Sequence, residues 1–549
     1  MELISVNSGN NSNHFFSDRL NKPLLSATPI FFQSFKKWTW IIITITGVIQ
    51  LSVWPTTENL FAVFSVVLCW ALLDSLMLKY TVLNQYPLSC FMVLGFVLTQ
   101  SFFPLVFTIL EGRPISFNLK VPYLVFLHST LAVITIISAH FAYRSLLKRQ
   151  PFFYNAIQRK MINVGFFRTP SNRQIWILGF IGLAAMFYVY FYSPSVGNEV
   201  TGAGNKFVQG LIPFTYAPFY ILIKKMYGVP GKKNRFLILY LSIFVVLLFV
   251  VSIGRNSRGA FMFGFTGLIF GYFLGLLLAF FSPKIINRRN LIVASITFWL
   301  LTGPLSDLGV AMVIVRGQRA EINRVDLLKL TFEKYQSKKE IALYKKSALG
   351  KDITGWDEQY LDNIFLARFC NLKFNDASLE ISEKLGRVDP IVNAYAIERP
   401  LAIFPKPVID FWGLKIDKER VNSSSSGDVL FDRVGGGNAL GGFRVGHFAG
   451  FGMASFGWFY LIFLFVLIIP AFFLWDLLVI RFRSTKSGKR ELVFSLAALL
   501  SLTELFCFIN FENVLYILQF LFRGWIQMIF LYWVLLQITR ILSGITLKR

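Results

Sequence analysis

The amino-acid sequence predicts an all-α polytopic membrane protein, and three observations carry that reading. Apolar runs of about 20 residues, the length a helix needs to cross a bilayer, recur along the chain. Only 15% of the 549 residues are charged while 55% are hydrophobic, whereas a soluble protein carries about 25% charge. The chain also holds 60 Phe, more than water-soluble cores bury, so much of its surface must face lipid.

Twelve spans are expected, at 38–54, 59–77, 88–110, 122–143, 175–193, 207–224, 236–254, 259–281, 291–315, 455–480, 493–511 and 523–542. Their connectors orient them. "RSLLKRQ", followed by Arg159, Lys160, Arg168 and Arg173, comes after the fourth span; "KKMYGVPGKKNR", "SPKIINRRN" and "RFRSTKSGKR" follow the sixth, eighth and tenth. "WPTT", "EGRPISFNLK" and "GNEVTGAGNK" at the alternate ends are much poorer in Lys and Arg. The positive-inside rule therefore predicts both termini in the cytoplasm. The net charge of +26 then reads as basic loops facing anionic headgroups. Nucleic acid is not expected as a partner, since no basic loop carries a nucleic-acid module.

The domain organisation follows: a cytoplasmic tail at 1–37, nine spans over 38–315, one large outer loop at 316–450, and three spans with a short cytoplasmic end over 451–549. The polar opening "MELISVNSGNNSNHFFSDRL" has no short apolar region before a small-residue cleavage site, so no signal peptide is expected. Cys69, Cys90, Cys370 and Cys507 show neither metal spacing nor a paired framework. No metal or other cofactor is predicted. Without a P-loop, a nucleotide-sugar motif or a large cytoplasmic domain, neither ATP nor a nucleotide sugar is expected as direct substrate.

Within the large loop, "VRGQRAEINRVDLLKLTFEKYQSKKEIALYKKS" has an amphipathic helical pattern, and Tyr360, Ile364, Phe365 and Phe369 would share a face of a second helix. Pro400, Pro405 and Pro407 predict an extended path after it. "SSSSGD" and "VGGGNALGGFRVGHFAGFG" suit a flexible lid over the membrane part.

Candidate chemistry gathers at the outer face. Arg255 and Arg258, in "VVSIGRNSRGAFMFGF", occupy a short turn between spans seven and eight, where they break the charge rule. Guanidiniums at that depth either line a polar cavity or snorkel into headgroups. Arg316 with Arg319, and Arg433 with Arg444, deliver two more pairs to the same interface. Guanidinium grips phosphate oxygens bidentately and stays charged, so a lipid-linked pyrophosphate is the anion these pairs suit. His447 suits a base or a structural cap; His128 and His140 read as packing residues. Asp307 and Glu504 are ionisable groups at membrane depth, with Gly303 and Pro304 breaking the ninth span. Asp74 lies nearer the cytoplasmic side.

The many spans, "SIGRNSRGAFMFG" across a short outer turn, and "ERPLAIFPKPVIDFWGLKID" with "GGFRVGHFAGFGMASFGWFY" closing one large late loop resemble the bacterial O-antigen polymerase (Wzy-type) family, which is related to the O-antigen ligases. The resemblance runs from residue 175 onward. It implies a GT-C-like polymerase or ligase architecture in the bacterial inner membrane. It implies as partners an undecaprenyl-pyrophosphate-linked oligosaccharide, membrane lipid and a chain-length regulator protein. Members transfer the growing glycan from its lipid carrier to the non-reducing end of an incoming lipid-linked repeat unit. Arg255 and Arg258 match the short-turn arginines; Arg433, Arg444 and His447 match the end of the late loop. Some members carry an arginine ten residues from a glycine, a pattern this chain replaces with Arg444 after Arg433. The arginines would stabilise charge on the departing pyrophosphate, and His447, Glu398, Asp428 or Asp432 would take the proton from the attacking hydroxyl. The rival expectations are an O-antigen ligase, which passes glycan to lipid A core, and a lipid-linked glycan transporter or flippase, which would show inverted repeats.

Overall fold

Backbone groups in hydrocarbon find partners only inside helices or closed barrels, and this chain takes the helical solution. The computed structural model describes residues 28–192, 195–196, 199–200, 203–228, 235–253, 258–282, 303–315, 324–348, 356–436, 439–483 and 490–543. Among them, seven helices are long and apolar enough to cross a membrane: Thr57–Leu76, Pro87–Leu110, Pro122–Arg149, Asn172–Phe191, Ala260–Leu277, Phe448–Asp476 and Tyr516–Leu542. The protein is a helical membrane protein. The expected spans at 38–54 and 236–254 fall within helices Ile30–Val53 and Leu237–Ile253. Of the expected span at 291–315, helix Pro304–Ile314 is described, and residues 291–302 lie outside the described residues.

Two expected spans take another form. Residues Ile212–Met226 wind as a 3-10 helix with a break at Ile223. Pro218 removes one backbone donor there. The tighter coil also lets the neighbouring helix approach, since a Cβ on Gly182 would stand 2.1 Å from the Thr215 nitrogen. The run 493–511 is not one helix but two five-residue pieces, Leu496–Leu500 and Leu502–Phe506. The backbone leaves helical values at Ser501 (φ −94°, ψ 5°) and again at Cys507 (φ −98°, ψ 10°). Just before it, strands Val479–Arg483 and Arg490–Phe494 pair antiparallel. Hydropathy registers the apolar run and is blind to these breaks.

The large loop departs from expectation more sharply. Its proline-rich part is folded into Pro390–Leu401, Lys406–Phe411, Lys418–Asn422 and Ser426–Arg433. Three prolines start helices rather than prevent them: Pro390 and Pro407 stand in first turns, and Pro405 is an N-cap, positions where a missing N–H is harmless, while Pro400 lies inside the end of Pro390–Leu401. Side-chain caps do the rest. Asp389 accepts from Ile391 and Val392, Asp417 from Glu419 and Arg420, and Ser425 forms a capping box with Asp428. "SSSSGD" is therefore a helix start with Ser424, Ser426 and Asp428 buried, not a flexible lid. Val392, Tyr395, Val421, Leu430 and Phe451 form a second small core beneath it. The second helical candidate is split into Ile364–Ala367 and Leu372–Leu385, and the opening pattern gives Arg324–Gln336 and Lys338–Ala348.

Helix Leu372–Leu385 seats this cap. The buried Asp376 carboxylate accepts from the Lys120 and Val121 amides at 2.7 and 2.9 Å, the turn that opens helix Pro122–Arg149. Lys373 donates to Asp376 at 2.9 Å and to the Asn118 carbonyl. Against the same helix, a Cβ on Gly450 would stand 2.2 Å from the Ser378 carbonyl carbon. Gly450→Ala is thus expected to force helix Phe448–Phe456 off the cap at a cost of about 1–3 kcal/mol, read as a lowered unfolding midpoint in detergent and earlier proteolysis of the cap.

Candidate functional site

Where the cap meets the bundle, four cations from four separate segments face one cavity of about 560 Å³. Lys206 comes from helix Ala203–Gln209, Arg399 from Pro390–Leu401, Lys418 from Lys418–Asn422, and Arg523 from the five-residue π-helical turn Phe520–Gly524. Asn422, Gln519 and Gln527 add amides, and Phe530 and Leu531 an apolar wall. Among the described lining residues there is no Asp or Glu.

Each cation is positioned by local structure. The Gln519 amide donates to the Arg399 carbonyl at 3.3 Å, tying the end of a cap helix to the start of the last span. A Cβ on Gly210 would stand 2.3 Å from Gln527 Nε2, so the segment bearing Lys206 approaches that same span closely. Arg523 sits in a π turn, where one extra residue turns the helix face. Lys418 donates to the Phe404 carbonyl oxygen. Its ammonium is held below the usual lysine range by burial, then by the Lys206 and Arg523 charges, with Asp410 opposing. Burial is the larger cause, and the neighbouring cations add to it. A polyanion relieves their mutual repulsion, and two guanidiniums suit phosphate oxygens in particular. The volume is that of an ordinary small-molecule site.

The residues singled out from sequence lie elsewhere or are engaged in other contacts. Arg255, Arg316 and Arg319 lie outside the described residues, and Arg258 is described only as the first residue of helix Arg258–Leu277. Arg433 pairs with Asp389 at 3.0 Å. Arg444 pairs with Asp428 at 3.1 Å, donates to the Ala439 carbonyl at 2.7 Å, and lies over the Phe431 ring. Neither lines the cavity. Asp428 is fully buried and also accepts from the Ser425, Phe443 and Arg444 amides, which makes it the fastener of the glycine-rich loop. Glu398 is paired with Arg420, and Asp432 is exposed.

His447 is buried as the N-cap of helix Phe448–Phe456. Its Nδ1 accepts from the Ala449 amide at 3.3 Å, and its Nε2 lies 3.1 Å from the Gln100 amide nitrogen. Burial, with His128 adding, holds its ring neutral, the pKa pushed down to about 3. Of its two expected roles, the structure displays the cap. His128 bonds the Tyr460 hydroxyl at 2.7 Å and stacks on Trp458, and His140 meets Ser89 at 3.0 Å; both are packing residues. Asp307 pairs with Lys338 of the large loop at 2.9 Å, and Asp74 with Lys36 at 2.8 Å. Glu504 presents an exposed side chain near Tyr216 and Tyr220.

Sequence reasoning thus missed Lys206, Arg399, Lys418 and Arg523. One of them was within its reach: Arg523 stands alone in the apolar "LQFLFRGW", the same anomaly that drew attention to Arg258. The other three converge only through the fold of the cap. No family model, no curated protein and no solved structure matches the chain.

The geometry separates two of the proposed bases by stability. Asp428→Ala strands an arginine and three amides and should cost about 3–5 kcal/mol, whereas Asp432→Ala should stay within about 0.5 kcal/mol of wild type. Thermal unfolding of both purified variants measures the contrast.

Proposed function

We propose that this protein is a membrane glycosyltransferase that polymerises lipid-pyrophosphate-linked oligosaccharide units, with the cap at the periplasmic face of the bacterial inner membrane. The observation that supports it best is the cavity in which Lys206, Arg399, Lys418 and Arg523 meet, with no carboxylate among the described lining residues. It has the charge for a diphosphate and stands where the cap joins the start of an apolar span. Phe530 and Leu531 continue its wall along that span, a path that suits a polyprenyl tail entering from lipid. The Lys/Arg-rich connectors, which the orientation rule places in the cytoplasm, put the cap on the opposite side.

In this reading the cations hold the donor's diphosphate. As the bond from sugar to phosphate lengthens, negative charge grows on the departing oxygen, and donors already fixed around it stabilise the transition state more than the ground state. Neutralisation by guanidinium and ammonium groups supplies the electrostatic part of the catalysis from the chain's own residues. Short-turn Arg258 is assigned to the same anionic substrates.

Incubating purified protein with a lipid-linked repeat unit should yield a ladder of products. Arg523→Gln and Arg399→Gln should each slow ladder growth by about 10²-fold or more, and Arg258→Ala should abolish long-chain product while the protein stays in the membrane. A full-length ladder from Arg523→Gln would remove the cavity from the reaction. Glycan lost from the lipid core altogether in a deletion strain, instead of single repeats attached to it, would place the transfer on lipid A core.

A further inference from the structure

Behind the cavity wall lies a carboxyl that the transfer reaction as described does not use. Glu512, in the turn before the last span, accepts from the Ser426 amide at 2.9 Å and from the Ser426 hydroxyl. The Ser426 hydroxyl lies 3.0 Å from the Tyr516 hydroxyl. Tyr516 in turn bonds the Arg399 side chain, and Arg399 lines the cavity. A single hydrogen-bonded series therefore runs from a cavity cation to a carboxyl in the turn before the last span.

We propose, resting on the reading above, that Glu512 is a positioning residue that sets the charge of the cavity through Ser426, Tyr516 and Arg399, so that binding a diphosphate there loads Glu512 with a proton. Each part has a physical cause. An ionised Glu512 draws on the Arg399 charge and weakens its hold on an anion; a neutral one leaves that charge to the ligand. By linkage the anion must then favour the neutral form. Among the described residues, Glu358 adds like charge to Glu512, Arg399 opposes it, and Tyr516 and Tyr395 stand in the same network. Burial first, and Glu358 after it, push the Glu512 carboxyl up to about 7, against the Ser426 hydrogen bonds. It therefore changes charge near neutral pH.

The coupling suits the transfer chemistry. The bond between donor sugar and diphosphate oxygen breaks, the acceptor hydroxyl oxygen makes the new bond to that sugar, and the hydroxyl proton passes to water. The free lipid diphosphate then carries one more negative charge than the donor did. With Glu512 already neutral from donor binding, no carboxylate charge behind the cavity opposes that added charge.

The test is binding of a short-prenyl diphosphosugar, whose two phosphates stay ionised across the range, to full-length protein in detergent between pH 6 and 8.5. Wild-type affinity should weaken about tenfold over that interval. Glu512→Gln should bind with the low-pH affinity throughout, and Glu512→Asp should restore the slope. Wild-type titrations in two buffers of different ionisation enthalpy should show proton uptake near pH 7, whether or not the variants fold. Binding with no slope, a slope surviving in Glu512→Gln, or no proton uptake would overturn the proposal and leave the glycosyltransferase reading standing. No binding at any pH would overturn both.

Discussion

A shortage of carboxylates, and the use to which the buried ones are put, governs this architecture. The chain has 29 Asp and Glu against 55 Lys and Arg, and several buried or half-buried acids hold backbone amides of a distant segment. Asp476 accepts from Leu88 and Ser89, closing the start of one span with the end of another. Asp376 accepts from Lys120 and Val121, Glu111 from Asp362 and Asn363, and Asp428 from Phe443 and Arg444. Helix ends and tight turns leave amides without partners, and a buried amide left so is costly. An ionised carboxylate satisfies two at once and is favoured at a helix start.

Other cations gather where the cap meets the bundle. Arg433, Arg444 and Arg420 each find an acid within the cap. Lys206, Arg399, Lys418 and Arg523 converge on a cavity whose described lining carries none. Cations brought together this way cost free energy that the rest of the fold must offset, and such a cost is typical of sites kept for a ligand. The fasteners and the cavity are thus two results of one distribution of charge.

This division explains what was legible in the sequence. Helical membrane character follows from composition and hydropathy, and the starts of Thr57–Leu76, Pro122–Arg149 and Asn172–Phe191 lie within a few residues of expectation, because lipid imposes length and apolarity directly. The breaks at Ser501 and Cys507 were not legible, since they depend on packing: a Cβ on Gly95 would stand 2.1 Å from the Phe506 carbonyl oxygen. The cap helices are not legible in sequence either, since proline and serine read as breakers until Asp389, Asp417 and Ser425 beside them are seen to cap helix starts. The cavity cations Lys206, Arg399, Lys418 and Arg523 were not legible as a group, since they meet only through the fold of the cap. Nor was the pairing of Arg433 with Asp389 or of Arg444 with Asp428, since such partners are visible only after folding.

The two π-helical turns show how the bundle accommodates such a site. Leu98–Phe102 and Phe520–Gly524 each interrupt a long apolar helix near the cap. In an α-helix every residue turns the chain by about 100°, so one inserted residue rotates all that lies beyond it by that amount. Below each turn the helix keeps its packing register, with Phe91 against Phe506 in one case and Leu531 with Leu535 buried in the other. At the turn itself a polar side chain reaches the cap side: Gln100 meets His447, and Arg523 meets the cavity. A regular helix would have to choose between burying its apolar stripe and presenting these groups. The extra residue removes that conflict, which is how two apolar spans can each present a polar side chain to the cap.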